Sequence, residues 1–423
     1  MSSKLQPVRG THDILPEEAR KFRFLIRQAL SVAERYGYGE IATPVFEFSE
    51  VFHRTLGDTS DVVTKETYSF TDRGGESLTL RPEFTAAIAR AFISHGMQDQ
   101  LPLKFFYAGP AFRYERPQKG RQRQFHQIGT ELLGVGEPVG DVESIALAHH
   151  VLDALGLAGK VTLEINTLGD AASRAHYRDA LVAYFTSHEG SLSEDSRARL
   201  ARNPLRILDS KDEGDRAVIA GAPRMEAHLT PEARAYFAAV TEGLAGLGIV
   251  AARNERLVRG LDYYNHTVFE FTTDQLGAQG TVLAGGRYDG LIGLMGGVDT
   301  PGIGWAAGIE RLAALMDFGA HSAFPASVRP IAVIPMGAAA EKEALQLTQR
   351  LRAEGFTVEL GYKGNLGKRM KRADKLHARA AVILGEAELA GGTATVKDLD
   401  SGTQQEVKLS ALESALASYR GGL

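Results

Sequence analysis

The stretch "FRYERPQKGRQRQFHQIGTE", Phe112 to Glu131, decides how this chain reads. From Arg113 to Arg123 it carries four arginines (Arg113, Arg116, Arg121, Arg123) and Lys119 against one carboxylate, Glu115. The charge then stops, and Gln127, Gly129 and Glu131 follow at alternate positions. With Arg116–Gln122 as a hairpin loop, residue 115 pairs near 123 and residue 113 near 125. Side chains alternate between faces along a strand, so the odd-numbered residues of both strands share a face. That face carries Tyr107, Arg113, Gln127 and Glu131; the other carries Phe106, Phe112, Ile128 and Leu132. This assignment survives any register slip of an even number. A mixed-charge face on a buried sheet costs free energy unless it binds something; a solvated face with a charged turn is the plainer alternative. A loop this basic suits phosphate or nucleic acid. Arg113, set in the strand, can grip one phosphate with a bidentate geometry that lysine cannot copy.

Working outward, 423 residues bound the chain at two or three domains. Hydrophobic residues at 44% and charged residues at 24% are ordinary for a soluble globular protein. The net charge of −4 decides nothing about a polyanion partner, which leaves the matter to local clusters. The absence of cysteine excludes disulfides, thiolate zinc sites and cysteine nucleophiles, and fits a reducing cytoplasm. The N-terminus has no apolar signal core, and no run reaches the ~18 apolar residues of a membrane span.

"LPEEARKFRFLIRQALSVAERYG" predicts a helix. Pro16 stands near its start, Phe22, Leu25, Ile26, Ala29 and Ala33 recur at helical spacing, and Gly37 lies just past its end. "YGEIATPVFEF" reads as a strand interrupted at Pro44. "ESLTLRPEFTAAIARAFISHG" reads as a strand, a turn at Arg81-Pro82 and a helix. "VTLEINTLG", "HTVFEFTTD" and "GTVLAGGRYDGL" read as further strands. The segment from about 170 to 247 is charged and mostly helical, an insertion. These strands, with a hairpin among them, predict a largely antiparallel sheet flanked by helices, an α+β unit over residues 1–325. Beyond a boundary at 317–330, strand and helix alternate as βαβαβ, predicting a separate α/β domain over 330–423.

Two further stretches bear on chemistry. "LVRGLDYYNHTVFEF" puts Arg259, Tyr263 and Tyr264 just before a strand. "TPGIGWAAGIERL" has small residues where a strand runs into a helix bearing Arg311. Gly302, Gly304 and Gly308 there would let a flat ring or a phosphate approach the backbone. Together and in this order, these stretches resemble the histidyl-tRNA synthetase family of class II aminoacyl-tRNA synthetases. "VRGTHDILP" and the strand ending at Pro44 resemble its N-terminus and motif 1, and the quoted hairpin resembles motif 2. "LVRGLDYYNHTVFEF" and "LAGGRYDGL" are similar to its two histidine signatures, and "GIGWAAGIERL" to motif 3. The final domain is similar to the family's anticodon-binding domain.

The resemblance implies a two-step reaction. L-histidine and ATP give histidyl-adenylate and pyrophosphate, and the histidyl group then passes to the 3′ end of histidine tRNA. It implies catalytic arginines at Arg113 and Arg259, near the α-phosphate, and Arg311, at the γ-phosphate, with Arg121 also toward ATP. It implies histidine contacts from Glu83, Thr85 and Gln127 near the ammonium and from Glu131 and Tyr264 at the imidazole, with Tyr263 and Tyr288 in the pocket. A carboxylate can accept from one ring N–H while a tyrosine hydroxyl serves the other nitrogen. ATP would come with Mg2+, no zinc is expected, and the family is homodimeric through motif 1. Arg116, Gln118 and Arg123 would meet the tRNA acceptor end. In "YKGNLGKRMKRADKLHAR", Lys368, Lys371, Arg372, Lys375 and Arg379 would share one helix face toward the anticodon stem, with Met370 and Ala373 toward the core. One position departs from the family pattern: Phe84 stands in Pro82-Glu83-Phe84-Thr85 where the family has glycine. The alternative is the non-catalytic, histidine-binding regulatory subunit of ATP phosphoribosyltransferase, a paralogue that typically lacks the last domain.

Overall fold

The computed structural model describes residues 5–56, 66–117, 120–210, 212–258, 263–277 and 280–420. They fall into two compact units, Met1–His321 and Ser322–Leu423. In the first, helix α1 (Pro16–Arg35) has proline in its first turn, Glu17 and Glu18 at its N-terminal end and Arg35 at its C-terminal end. That order complements the helix dipole. It buries Phe22, Phe24, Leu25, Ala29, Val32 and Ala33, each large side chain contributing ~1.5–3 kcal/mol.

The chain then forms β1 (Gly39–Glu40), β2 (Phe46–Phe48), α2 (Ser49–Leu56), β3 (Tyr68–Thr71), β4 (Ser77–Leu80) and α3 (Thr85–Ser94). The segment around Pro44 is two strands rather than one. β1 joins the main sheet beside β5 (Leu103–Phe112), and β2 joins a three-stranded sheet ordered β2-β4-β3. β5 and β6 (Gln124–Leu133) are the arms of the basic hairpin. Phe112 pairs with Gln124 and Tyr107 with Gly129. The register is thus two residues from the one expected, so the odd-numbered positions still share a face. Even-numbered Phe106, Ile128 and Leu132 are buried on the opposite face, which carries contacts to α1 and to α4 (Pro138–Ala154).

β7 (Thr162–Thr167) is followed by α5 (Ala171–Ser187), α6 (Glu194–Arg202), α7 (Glu213–Ile219) and α8 (Pro231–Gly246). α5, α6 and α7 enclose a core of their own around Tyr177, Leu181, Phe185 and Ile207, while α8 packs on α4. The chain returns through β8 (Ala251–Arg253), β9 (Asn265–Thr272), β10 (Thr281–Arg287), α9 (Leu291–Leu294), β11 (Gly302–Gly308) and α10 (Ile309–Leu315). The main sheet runs β1-β5-β6-β11-β10-β9-β7-β8. It is antiparallel except at its two ends, where β1 runs parallel to β5 and β8 to β7.

In the second unit β12 (Ile331–Pro335), α11 (Ala338–Ala353), β13 (Val358–Leu360), α12 (Leu366–Lys375) and β14 (Ala380–Leu384) alternate. The three strands are parallel, and an antiparallel pair, β15 (Thr393–Asp398) and β16 (Gln404–Lys408), extends the sheet to β13-β12-β14-β15-β16. α12 exposes Lys368, Lys371, Arg372 and Lys375, the expected face. It buries Arg369 and Ala373, and Arg369 pairs with Glu341 at 3.0 Å. Arg379 lies past the helix end, against β14, and donates to the Ser418 carbonyl at 3.2 Å.

Candidate active site

The odd-numbered face of β5 and β6, with β10 and β11, floors a cleft holding about 1200 Å³ of empty space, part of it open to solvent. Glu83, Thr85, Gln127, Tyr263, Tyr264 and Tyr288 line it, as do Arg113, Arg121 and Arg311. Residues from five separate stretches of sequence thus meet in one place.

One end is a buried carboxylate–hydroxyl cluster. Glu131 is fully enclosed; its Oε1 accepts from Thr85 Oγ1 at 2.7 Å, and its Oε2 accepts from the Tyr288 hydroxyl. Desolvation lifts the Glu131 carboxyl to about 8, against the lowering effect of those two hydrogen bonds. Glu83, also buried, accepts from the backbone N–H groups of Thr85 at 2.6 Å and Ala86 at 2.9 Å. Those amides open α3, so Glu83 caps the helix from just outside it. Burial raises the Glu83 carboxyl as well. Thr85 therefore ties two acidic groups together, its amide on one and its hydroxyl on the other. Gln127 keeps a buried side-chain oxygen without a hydrogen-bond partner among the described residues. Tyr263 packs on Tyr264 with ring centroids 4.7 Å apart and edge-on to Tyr288 at 5.8 Å.

Two glycines make this end possible. A Cβ on Gly304 would stand 1.8 Å from Glu131 Oε2, and one on Gly129 would stand 2.2 Å from the Tyr107 hydroxyl. Only bare backbone lets these side chains lie against the sheet.

The other end is cationic. Arg113 Nε donates to the Pro82 carbonyl at 2.9 Å, which fixes its guanidinium beside the Glu83 segment. Arg121 pairs with Glu115 at 2.7 Å, and Arg113 stands 4.0 Å from the same carboxylate. Arg311 donates to the Thr281 carbonyl and, at 3.3 Å, to that of Gly120. Burial, and then nearby Arg121, push the Arg311 guanidinium below its usual range. Arg113, Arg121 and Arg311 bring three guanidiniums to this end of the cleft, the fixed positive groups that a polyphosphate requires.

The rest of the loop is arranged differently. Arg116 is exposed. Arg123 lies over the Tyr114 ring at 3.9 Å and donates to the Glu115 carbonyl at 3.3 Å. Arg259 and Gln118 lie outside the described residues. In the second unit Lys368 and Lys371 are exposed, and Arg372 pairs with Glu359 at 2.6 Å.

Phe84 is accommodated by a stack. Its ring lies parallel to Tyr107 at 4.3 Å, and the Arg81 guanidinium covers the other side at 3.9 Å. Arg81 in turn donates to the carbonyls of Thr43 at 2.8 Å and Pro110 at 2.8 Å. Sequence reasoning missed Glu310, which lines the cleft and accepts from the His126 N–H at 2.9 Å, clamping α10 to β6. Its place directly before Arg311 was the available signal.

Comparison with known proteins decides the family. The family described as "Histidyl-tRNA synthetase" matches residues 10–312, and that described as "Anticodon binding domain" matches 330–419. The chain belongs to the histidyl-tRNA synthetase family. The "Histidine--tRNA ligase" of Rhodospirillum rubrum is 61% identical over 98% of this chain and 99% of its own length. That of Gluconacetobacter diazotrophicus is 56% identical over 99% of this chain and 100% of its own. The apo histidyl-tRNA synthetase structure from S. aureus superposes with a TM-score of 0.81 at 35% identity, covering 97% of this chain and 99% of that one. A structure from Bacillus halodurans titled as an "ATP phosphoribosyltransferase regulatory subunit/histidyl-tRNA synthetase" shares the fold at 23% identity and a TM-score of 0.65. Family membership makes the chain a class II aminoacyl-tRNA synthetase of the histidine–tRNA ligase kind. The regulatory-subunit alternative is not favoured, since the relatives named as ligases match nearly end to end and the anticodon-binding match is present. No helix among the described residues is long and apolar enough to cross a membrane.

Proposed function

We propose that the cleft joins L-histidine to ATP and then hands the histidyl group to histidine tRNA. The observation that carries this reading is the union, in one cleft, of Glu83, Thr85, Gln127 and three tyrosines with three arginines, the enclosed Glu131 being held behind Thr85 and Tyr288. In the first step a carboxylate oxygen of histidine forms a bond to the α-phosphorus, and pyrophosphate leaves with the electrons of the bond that breaks. Arg113 stabilises charge on the α-phosphate and Arg311 binds the γ-phosphate, with Arg121 beside it. Arg259 joins Arg113 at the α-phosphate on the strength of the family resemblance. Chemistry of this kind needs positioning and fixed positive charge more than a protein nucleophile.

Glu83, Thr85 and Gln127 take the ammonium end of histidine; the partnerless oxygen of Gln127 is an acceptor ready for an N–H donor. Glu131, Tyr264 and Tyr288 take the imidazole, with Tyr263 as a wall. A site that satisfies both ring nitrogens rejects isosteres that leave its polar groups unpaired, by up to ~10⁴–10⁵. ATP enters as its Mg2+ complex, the metal carried by the phosphates. Among the described residues no group of three or more His, Asp or Glu side chains is arranged to hold a metal.

In the second step a tRNA ribose hydroxyl attacks the histidyl carbonyl carbon and AMP departs. Arg116, Gln118 and Arg123 meet the acceptor end. Lys368, Lys371 and Arg372, in the anticodon-binding domain expected over residues 330–423, meet the anticodon stem. The enzyme works in the cytoplasm as a homodimer. Phe46, Phe48 and Phe70, between 46% and 57% exposed on the small sheet that follows Pro44, supply an apolar face for the second copy.

The test is pyrophosphate exchange into ATP with each of the twenty amino acids and no tRNA. Exchange with histidine alone is expected. Absence of exchange with every amino acid, alongside histidine binding by calorimetry, would overturn the reading in favour of the regulatory subunit.

A further inference from the structure

The helices that open and close the helical insertion, α5 and α8, each make one contact that leads to a tyrosine of the cleft. Arg174 on α5 donates from Nη1 to the backbone carbonyl of Tyr264 at 3.0 Å. Tyr236 on α8 donates its hydroxyl to Asp141 Oδ2 at 2.7 Å. The same Asp141 oxygen receives Arg287, which donates from Nε at 3.0 Å and also from Nη2. Arg287 and Asp141 are both fully buried. The remaining nitrogen of the Arg287 fork donates to Asp289 Oδ1 and to the Val135 carbonyl, both at 2.9 Å. Asp289 in turn accepts from the Gly302 N–H at 3.2 Å. Tyr288 sits between these two anchored residues and points its hydroxyl at Glu131.

The two helices are fastened to one another. Asp170 caps α5 by accepting from Ser173 N at 2.7 Å, and it also accepts at 2.6 Å from Thr230, the capping residue of α8. The ring of Tyr236 lies 4.6 Å from that of His266. His266 has φ +43°, a conformation costly for a non-glycine residue and held here by the surrounding structure. Its N–H donates to the Gly169 carbonyl at 2.9 Å, immediately before α5. Asp141 Oδ1 has no hydrogen-bond partner among the described residues. Tyr236 therefore supplies the carboxylate's only hydroxyl donor described, in a place where no water-like exposure compensates its loss.

We propose that Arg174 and Tyr236 are positioning residues for histidine recognition: they key the insertion helices to Tyr264 and, through Asp141 and Arg287, to Tyr288. This rests on the reading of Tyr264, Tyr288 and Glu131 as the imidazole pocket. It goes beyond that reading in assigning specificity to two residues outside the cleft, on a segment with its own core. Anything that displaces the paired helices, an RNA strand pulling on them included, changes how firmly the two tyrosines are held.

The experiment uses the full chain in histidine-dependent pyrophosphate exchange, with Tyr236→Phe, Arg174→Gln, Tyr288→Phe and the Tyr236→Phe/Tyr288→Phe double variant. Tyr236→Phe removes one oxygen and keeps the Arg287–Asp141 pair, so it preserves the fold; Arg174→Gln tests the other helix independently. Each is expected to raise the KM for histidine by roughly tenfold, the scale on which outer partners act on groups they orient. The KM for ATP and kcat stay within about twofold. The double variant is expected to be no worse than Tyr288→Phe alone, because both changes act on one hydroxyl. A normal KM for histidine in Tyr236→Phe and Arg174→Gln, with only a lower Tm, while Tyr288→Phe raises it, would overturn this inference and leave the pocket reading standing. A normal KM in Tyr288→Phe would overturn both.

Discussion

Gly304 faces Glu131 so closely that a single added carbon at 304 would stand 1.8 Å from Oε2 of the carboxylate. The strand backbone is a wall of the cleft proposed to take the amino acid, and it leaves no room there for a side chain. Gly304→Ala is expected to push Glu131 off its contacts with Thr85 and Tyr288. Misplacement of a positioning group by an ångström costs ~10²-fold. Histidine-dependent exchange should fall by at least that much while the ATP affinity, measured by calorimetry, is retained. Near-normal exchange would mean that Glu131 is not held where the reaction needs it.

The raised carboxyl of Glu131 has a consequence for stability. In the unfolded chain it loses its proton near 4.5, and in the fold at about 8. Between these values the folded state holds a proton that the unfolded chain has released. The contribution is neutral below about 4.5, and stability declines as pH rises toward 8. Glu131→Gln has no such proton to lose. Its Tm relative to the parent is expected to climb steadily across that window, then level off. A difference that stays flat would show Glu131 ionised in the free protein.

Arg311→Ala removes a guanidinium that is held by the Thr281 and Gly120 carbonyls. Exchange should drop by ~10²–10³, the usual cost of one preorganised donor at a developing charge, with the melting temperature little changed. If calorimetric binding of nucleotides lacking the γ-phosphate is weakened as strongly as binding of ATP itself, Arg311 acts elsewhere.

Phe84→Gly, which restores the family residue, should be unfavourable here. It empties the space between Arg81 and Tyr107. Removing a buried phenyl ring typically costs ~3–5 kcal/mol. A lower Tm, measured calorimetrically, with a higher KM for histidine is the expected result. A variant as stable as the parent would show that this neighbourhood closes around glycine.

Lys368→Glu with Lys371→Glu should weaken aminoacylation of histidine tRNA and flatten its dependence on salt, while exchange without tRNA is untouched. If both activities fall together, α12 serves the fold of its own unit and not the nucleic acid.

Much of this was legible because hydrophobic alternation is a strong local signal. Phe106, Ile128 and Leu132 had to face one way, which sent Gln127, Gly129 and Glu131 the other, whatever the loop geometry. The two-residue shift in register left that parity intact. Helical periodicity found α1 and the exposed basic face of α12, but not the buried arginine on that helix. A charged residue at a core position breaks the pattern, so Arg369, buried against Glu341 and the Pro335 carbonyl, has no place in the sequence reading. Arg379 was counted on a helix that stops at Lys375. Arg174 and Tyr236 left no trace at all. Their partners lie far away in sequence, and neither residue type nor spacing marks a contact with Tyr264 or Asp141.

The order of strands sets a schedule for synthesis. β11 is the last strand of its sheet to be made, yet it lies between β6 and β10. Until it emerges, the nascent chain can assemble only two half-sheets, one around the hairpin and one from β7 to β10. Their facing edges are β6 and β10, and each has unpaired backbone groups that invite a foreign strand. Threading Gly302–Gly308 into that slot joins the halves, buries both edges and brings Gly304 under Glu131 in a single event. The floor of the cleft is therefore completed late, with a long loop-closure cost behind it. A ribosome stalled before this strand would carry a protein with its basic hairpin already translated and the floor of its cleft incomplete.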